Sequence, residues 1–131
     1  MNFLDLKKFS ILYIEDDTMV RNSTSLLFEN FFNEIFVADN GLSGYNSYIE
    51  NKSRINLIIS DERMPHMNGT DLLKRIRNLG DDVPFMIISA FSKQEFFNSI
   101  SDLNISSILT KPIDIKNCIE EAFNILTIKN T

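Results

Sequence analysis

The sequence predicts an α/β fold: five βα units forming a doubly wound, five-stranded parallel sheet with helices on both faces. Five short aliphatic runs recur along the 131 residues, and each is followed by apolar residues at helical spacing. Short polar connections join them, without an internal repeat, low-complexity tract or linker. We therefore expect residues 1–131 to form one domain, with 1–9 as an N-terminal lead.

The predicted elements follow one another at regular intervals. Continuous apolar runs, typical of strands buried on both faces, occupy 11–14, 35–38, 55–60, 83–88 and 105–109. Helical patterns with one apolar side cover approximately 18–32, 42–49, 72–79, 93–101 and 115–126. Gly80 follows the third helix, where glycine accepts the left-handed conformation in which helices often end.

Composition and charge narrow the function classes. The net charge of −5 provides no basic field for nucleic acid, so we expect no direct DNA binding by this chain. The single cysteine, Cys118, allows no internal disulfide, and no apolar run approaches the roughly 20 residues of a membrane span. The first residues lack the apolar region of a signal peptide. These features predict a soluble, cytoplasmic domain without membrane contact.

Polar residues at the carboxyl ends of the predicted strands indicate a functional site. Alone, Asp61 after the third strand would most often cap a turn. However, the first strand runs into Glu15 and Asp16, the fourth into Ser89 and the fifth into Lys111. Because the carboxyl ends of parallel strands meet at one edge of a sheet, we expect these side chains to converge.

This set of groups favours phosphoryl chemistry. Carboxylates about 4 Å apart repel by several kcal/mol and so need a cation, and an oxygen-only site with room for water suits Mg²⁺. An aspartate such as Asp61 can act as the acceptor nucleophile and form an aspartyl phosphate. Lys111 then offers a positive charge, and Ser89 a hydroxyl donor, to the phosphoryl oxygens.

In order and spacing, these residues resemble the receiver domain of two-component response regulators, over nearly the whole chain. The resemblance rests on Ile14-Glu15-Asp16-Asp17, Asp61 with Met64-Pro65, Met67 and Gly69, Ser89-Ala90, and Lys111-Pro112. It implies a chemotaxis-regulator-like, flavodoxin-like fold with strand order 2-1-3-4-5. It also implies that Asp61 takes a phosphoryl group from the phosphohistidine of a histidine kinase or phosphotransfer protein. A downstream protein partner or output domain would then respond.

The resemblance further implies a role for each site residue. Asp16 would bind Mg²⁺ directly and Glu15 through water, while Asp61 and the main-chain carbonyl of Arg63 would complete the metal site. The phosphoryl oxygens would be held by Ser89 and Lys111. Such a domain is not an enzyme acting on other substrates: it catalyses its own phosphorylation and dephosphorylation, as a monomer or a phosphorylation-dependent dimer.

Two local assignments follow from the same motifs. The three consecutive acids allow either Glu15-Asp16 or Asp16-Asp17 as the acidic pair, and the first is preferred because Arg21 then stands at the family's usual distance. Asp17 remains an alternative metal ligand, or the N-cap of the first helix. By resemblance, the Lys111–Pro112 peptide is expected to be cis, which an X-Pro bond tolerates at under about 1 kcal/mol.

One position departs from the family pattern. Counting back from Lys111, Ile108 occupies the place of an aromatic residue that in many receivers rotates inward after phosphorylation. An aliphatic side chain cannot make this rotation, so we expect the usual read-out through the fourth helix, fifth strand and fifth helix to be altered. Phe91, Phe96 and Phe97 are candidates to replace it, or they are ordinary packing residues.

Two other function classes share parts of this pattern. A phosphatase of the haloacid dehalogenase type also places an aspartate nucleophile after a strand, but it needs a second acid where this chain has Arg63. A pseudo-receiver that only binds proteins keeps the fold but loses the phosphorylation residues, and here all of them are present. The phospho-accepting receiver is therefore the favoured hypothesis.

Overall fold

The five strands form one parallel sheet in the order β2-β1-β3-β4-β5. The structure is a computed structural model that describes residues 2–90, 96, 98 and 100–128. The strands are β1 (Ile11–Ile14), β2 (Ile35–Ala38), β3 (Leu57–Asp61), β4 (Phe85–Ser89) and β5 (Ser107–Thr110). Both the predicted fold class and the predicted strand order are confirmed.

The helices alternate with these strands. They are α1 (Thr18–Phe28), α2 (Gly41–Asn51), α3 (Gly69–Asn78) and a C-terminal helix (Ile115–Ile128), with short 3₁₀ segments at Phe3–Lys8 and Ser101–Leu103. Residues 96, 98 and 100 of the predicted helix 93–101 are also helical, and Ser101 begins the second 3₁₀ segment. Residues 93–95, 97 and 99 lie outside the described part. No described helix is both long enough and apolar enough to cross a membrane.

The sheet separates two hydrophobic cores. On one side, α1, the C-terminal helix and the N-terminal 3₁₀ segment cover side chains that include Tyr13 and Ile59. On the other side, α2, α3 and the helical residues Phe96 and Ile100 cover a second set. Because side chains alternate along a strand, Asp61 shares its face with Ile59 and points towards the α1 side. The two cores therefore hold the adjacent strands β1 and β3, at whose carboxyl ends the acidic residues lie.

Several element boundaries differ from the predictions. The third, fourth and fifth strands each begin two residues later and end one residue later than predicted, and α1 ends at Phe28, before the predicted end at Phe32. Ile55 is buried, but its amide donates to Asn51 O at the end of α2 and does not join the sheet. The pattern of apolar residues indicates burial and not hydrogen bonding. The predicted elements therefore extended into loop residues that are buried or partly buried. For the same reason the pattern left out Asp61 and Ser89, the polar last residues of β3 and β4.

Gly80 directly follows the last turn of α3 with a φ of 84°, which confirms its predicted left-handed role. Among the described residues, no atom lies within 4 Å of the position that a Cβ would take there. We therefore expect Gly80→Ala to lower the free energy of unfolding by about 1 kcal/mol through backbone strain alone. Gly80→Asn should lose less, because asparagine tolerates this conformation better. Urea unfolding measures both, and an alanine variant as stable as the wild type would contradict the explanation.

Candidate functional site

Asp61 is the last residue of β3, and its side chain is only 4% exposed. The parallel pairing continues past it, because Glu62 N donates to Ile88 O at 2.9 Å. The main chain on both sides of Asp61 is thus bonded within the sheet. The carboxylate consequently has little freedom to move away from the edge at which the other strands end.

Glu15 and Asp16 lie beside Asp61, as the sequence predicted. One carboxylate oxygen from each of the three residues lies within 4.8 Å of the others, with Glu15 buried and Asp16 exposed. Arg21 on α1 fixes the backbone of the pair, since its Nη1 donates to Glu15 O at 2.9 Å and to Asp16 O at 3.4 Å. The structure therefore brings together three acids from two adjacent strands.

Asp17, the third consecutive acid, has a different position. Its Oδ1 accepts from Val20 N at 3.0 Å, so it is the N-cap of α1. Its own amide donates to Glu15 Oε2 at 3.1 Å, which ties the cap to the acidic pair. Within the described residues, the group of acids with metal-binding spacing consists of Glu15, Asp16 and Asp61 and does not include Asp17. The contacts thus match the N-cap interpretation.

Lys111 supplies the positive charge at this edge. Its Nζ lies 2.9 Å from Asp61 Oδ1, and its amide donates to Ser89 O at 2.9 Å just beyond the end of β5. The Lys111–Pro112 peptide is cis, as predicted. Although Lys111 is close, Asp61 Oδ1 makes no hydrogen bond of good geometry within the described structure. A buried carboxylate oxygen is therefore left short of hydrogen-bond partners.

The site is electrostatically unfavourable for its own acids. Burial raises the pKa of Asp61, Lys111 opposes this rise, and the nearby charge of Asp16 adds to it. Burial is also the main reason that the pKa of Glu15 rises from 4.5 to about 7, and the charge of Asp61 contributes further. Proximity and loss of water thus oppose ionisation of the acids. A cation placed among them relieves this cost.

Two cavities meet at Asp61. One of about 460 Å³ contains the acidic residues and Lys111, and its rim includes Val20 and Ile113. A second, of about 250 Å³, lies on the side of Ser89 and Arg63 and also reaches Lys111. Ser89 is buried at the end of β4, whereas Arg63 is exposed. All the predicted phosphorylation residues therefore line one of two adjoining spaces around a single carboxylate.

Sequence reasoning missed the contacts that close the loop after Asp61. Glu62 Oε1 accepts hydrogen bonds from Thr70 N and from Thr70 Oγ1, both at 2.8 Å. Gly69 lies so close that a Cβ on it would stand 2.6 Å from Asp61 O. Glu62 and Thr70 are eight residues apart, so they do not show the spacing of a capping box, and no local pattern identifies the pair.

The donor set fits Mg²⁺. It consists of one carboxylate oxygen each from Glu15, Asp16 and Asp61, all within 4.8 Å of one another. Hard divalent cations prefer such oxygen ligands. The unsatisfied Asp61 Oδ1 is an acceptor that a cation or its bound water can satisfy.

Ile108, at the position where many receivers have an aromatic residue, is a core residue here. It is 2% exposed and belongs to the same cluster as Ile87 and Phe96, on the face of the sheet towards which Ser89 points. Phe96 is thus a packing residue in this structure. Phe91 and Phe97, the other two candidates, lie outside the described residues.

Comparison with known proteins agrees with this geometry. The family model for the response regulator receiver domain matches residues 11–123. The chain belongs to this family. The observed strand order is therefore that of a receiver domain.

Individual relatives are similar to this chain over part of their own length. The transcriptional regulatory protein CrdR of Helicobacter pylori is 31% identical over 80% of this chain, and a probable transcriptional regulatory protein of Picosynechococcus sp. is 28% identical over 86%. The chain spans about half the length of these two relatives, 49% and 47%. The crystal structure of the N-terminal domain of an uncharacterized protein from Wolinella succinogenes is 31% identical, with a TM-score of 0.81, covering 94% of this chain and 99% of that one.

The raised pKa of Glu15 predicts how the site depends on pH. A carboxyl whose folded pKa exceeds its unfolded value of 4.5 contributes its full stability below that value and loses it as the pH rises through about 7. We therefore expect the Tm of the metal-free receiver domain to fall between about pH 5 and about pH 8. The increase in Tm on adding Mg²⁺ should be larger at the higher pH, where Glu15 is ionised.

Scanning calorimetry with and without Mg²⁺ measures both trends. Glu15→Gln should reduce them, whereas Glu50→Gln, at an exposed acid on α2, is the matched control and should leave them unchanged. A metal-free Tm that rises with pH over this interval would contradict the burial of Glu15 beside Asp61.

Proposed function

We propose that Asp61 accepts a phosphoryl group from the phosphohistidine of a histidine kinase or phosphotransfer protein, in a reaction that requires Mg²⁺. The observation that supports this most directly is the buried Asp61 carboxylate, with Lys111 Nζ 2.9 Å from Oδ1 and two further acids within 4.8 Å. Family membership supports the same proposal. Glu15, Asp16 and the Arg63 carbonyl are the proposed metal ligands besides Asp61.

The chemical step needs little from the protein beyond position and charge. An Asp61 carboxylate oxygen attacks phosphorus, the P–N bond to the donor histidine breaks, and its electron pair stays on the imidazole. Lys111 balances charge on the phosphoryl oxygens, and the Ser89 hydroxyl donates to one of them. Mg²⁺ held by Glu15, Asp16 and Asp61 would supply further charge neutralisation. In a separate hydrolytic step, water attacks phosphorus, the P–O bond to Asp61 breaks, and inorganic phosphate leaves with the Asp61 carboxylate restored.

The surface around the acidic cavity supports approach by a protein donor. Val20 and Ile113 line its rim, and Met19 on the neighbouring part of α1 is 82% exposed. Large apolar side chains exposed beside a charged site are typical of protein contacts. The phosphohistidine must reach Asp61 past this rim, so α1 is the proposed contact surface for the donor.

The response to phosphorylation is proposed to pass to a downstream protein or to an output domain. Two relatives carry names of transcriptional regulators and are about twice as long as this chain, which supports an attached output domain in those proteins. Because Ile108 is a packed aliphatic residue, the proposed read-out involves a shift of this core and not an aromatic ring rotation. The domain acts in the cytoplasm under this proposal, where histidine kinases have their phosphorylated domains.

Incubation with Mg²⁺ and a small acyl phosphate tests phosphoryl acceptance. Intact mass spectrometry should show one phosphoryl adduct on the wild type, none without Mg²⁺ and none on Asp61→Asn. Asp39→Asn, at an exposed aspartate after β2, is the matched control and should behave like the wild type. Absence of an adduct on the wild type would favour a protein-binding pseudo-receiver. Steady hydrolysis of an added phosphate monoester, without a phosphoryl adduct on the wild type, would favour a phosphatase.

A further inference from the structure

The loop between β3 and α3 is closed by hydrogen bonds that a single residue, Glu62, accepts. Its side-chain Oε1 accepts from both Thr70 N and Thr70 Oγ1 at 2.8 Å. Its main-chain oxygen accepts from Gly69 N at 2.9 Å. Three hydrogen bonds therefore join the first residue after Asp61 to the first turn of α3.

The helix to which Glu62 is bonded is itself firmly held. Leu72, Leu73 and Ile76 of α3 are fully buried in the core. At the helix start, a Cβ on Gly69 would lie 2.6 Å from Asp61 O and 3.1 Å from Glu62 Oε1. The first turn of α3 thus packs directly on the main chain of Asp61 and Glu62, at a distance that only glycine permits.

Arg63 lies between two fixed points of this loop. Glu62 precedes it, bonded to Thr70, and Met64 follows it with a side chain only 9% exposed in the core. The Arg63 side chain itself is exposed, so only its main chain is held. A carbonyl ligand has no side-chain torsion with which to adjust its position. Its place at a metal site depends entirely on how the flanking residues hold the backbone.

We infer that Glu62 is a positioning residue for the metal site, acting through Thr70 to hold the Arg63 carbonyl where a cation can use it. The inference rests on the proposed function and deepens it, because Glu62 need not touch the metal or the phosphoryl group. Partners that orient metal ligands commonly contribute tenfold to hundredfold in affinity. Without the Glu62 carboxylate, the loop keeps its main-chain bond to Gly69 but loses both side-chain bonds to the helix.

Two simpler roles of Glu62 make different predictions. If it only caps α3, its loss affects stability and not metal binding; Asn68 already fills the N-cap position, with Oδ1 accepting from Asp71 N at 2.8 Å. If it only adds negative charge near the cation, any neutral replacement weakens binding equally. If Glu62 positions the Arg63 carbonyl, Mg²⁺ binding depends on the hydrogen bond between Glu62 and Thr70. This bond can be removed by substituting either residue.

Calorimetric titration of Mg²⁺ into the unphosphorylated protein tests the inference. Four variants are compared: Glu62→Ala, Glu62→Gln, Thr70→Val and Thr70→Ser, each with its Tm measured in the absence of metal. Glu62→Ala should weaken Mg²⁺ binding roughly tenfold, the lower end of the range for such partners. Thr70→Val, which keeps the Glu62 charge, should weaken it by a smaller factor. Glu62→Gln keeps an acceptor oxygen and Thr70→Ser keeps the hydroxyl, so both should bind nearly as the wild type does.

Three results would overturn the inference. The first is a Glu62→Ala variant that binds Mg²⁺ as tightly as the wild type. The second is an equal loss of Mg²⁺ affinity in Glu62→Ala and Glu62→Gln with no loss in Thr70→Val, because that pattern indicates that Glu62 acts only through its charge. If Glu62→Ala does not fold, Thr70→Val decides, and unchanged affinity there is the third. Failure of the proposed function is distinct: wild-type protein that binds no Mg²⁺, or that gains no phosphoryl adduct, contradicts the site itself and not the role of Glu62.

Discussion

The site depends on one interaction at the carboxyl edge of the sheet, the contact between the buried Asp61 carboxylate and Nζ of the partly exposed Lys111. Asp61 is the end of a central strand, and Glu15 and Asp16 are held against it from the neighbouring strand. One ammonium group cannot balance three acids, so burial and repulsion raise the pKa of both Asp61 and Glu15. Under the proposed function, a cation relieves the remaining imbalance and in turn attracts a phosphoryl group.

The fold supports this interaction mainly by hydrogen bonds that hold the main chain around the site. Parallel pairing holds β1, β3 and β4 in register up to the site, and Glu62 N extends the pairing one residue past Asp61. Arg21 holds the carbonyls of the acidic pair, while Glu62 joins the following loop to α3. The residues proposed to bind the metal or the phosphoryl oxygens therefore lie at or next to strand ends whose backbone is already hydrogen-bonded. Such prior organisation is how a site stabilises charge without rearranging during the reaction.

The sequence predicted the fold and the converging residues because both follow from regular patterns. Aliphatic runs identified the strands, and parallel topology required Glu15, Asp16, Asp61, Ser89 and Lys111 to meet at one edge. Contacts between residues at irregular spacing could not be predicted this way. The bond from Thr70 to Glu62 depends on the path of the loop, and the close approach of Gly69 to Asp61 O depends on packing between helix and strand. The start of β3 was misplaced because Ile55 is apolar and buried but not paired.

Asp61, and none of the surrounding acids, is the proposed acceptor of the phosphoryl group. Reduction of the phosphorylated protein with borohydride converts an aspartyl phosphate to homoserine, and tandem mass spectrometry of the resulting peptides then locates it. The geometry predicts homoserine at position 61, with Glu15, Asp16 and Asp17 unchanged. Conversion at Asp16 or Asp17, or a phosphoryl group carried by Ser89, would contradict the assignment of Asp61 as the acceptor.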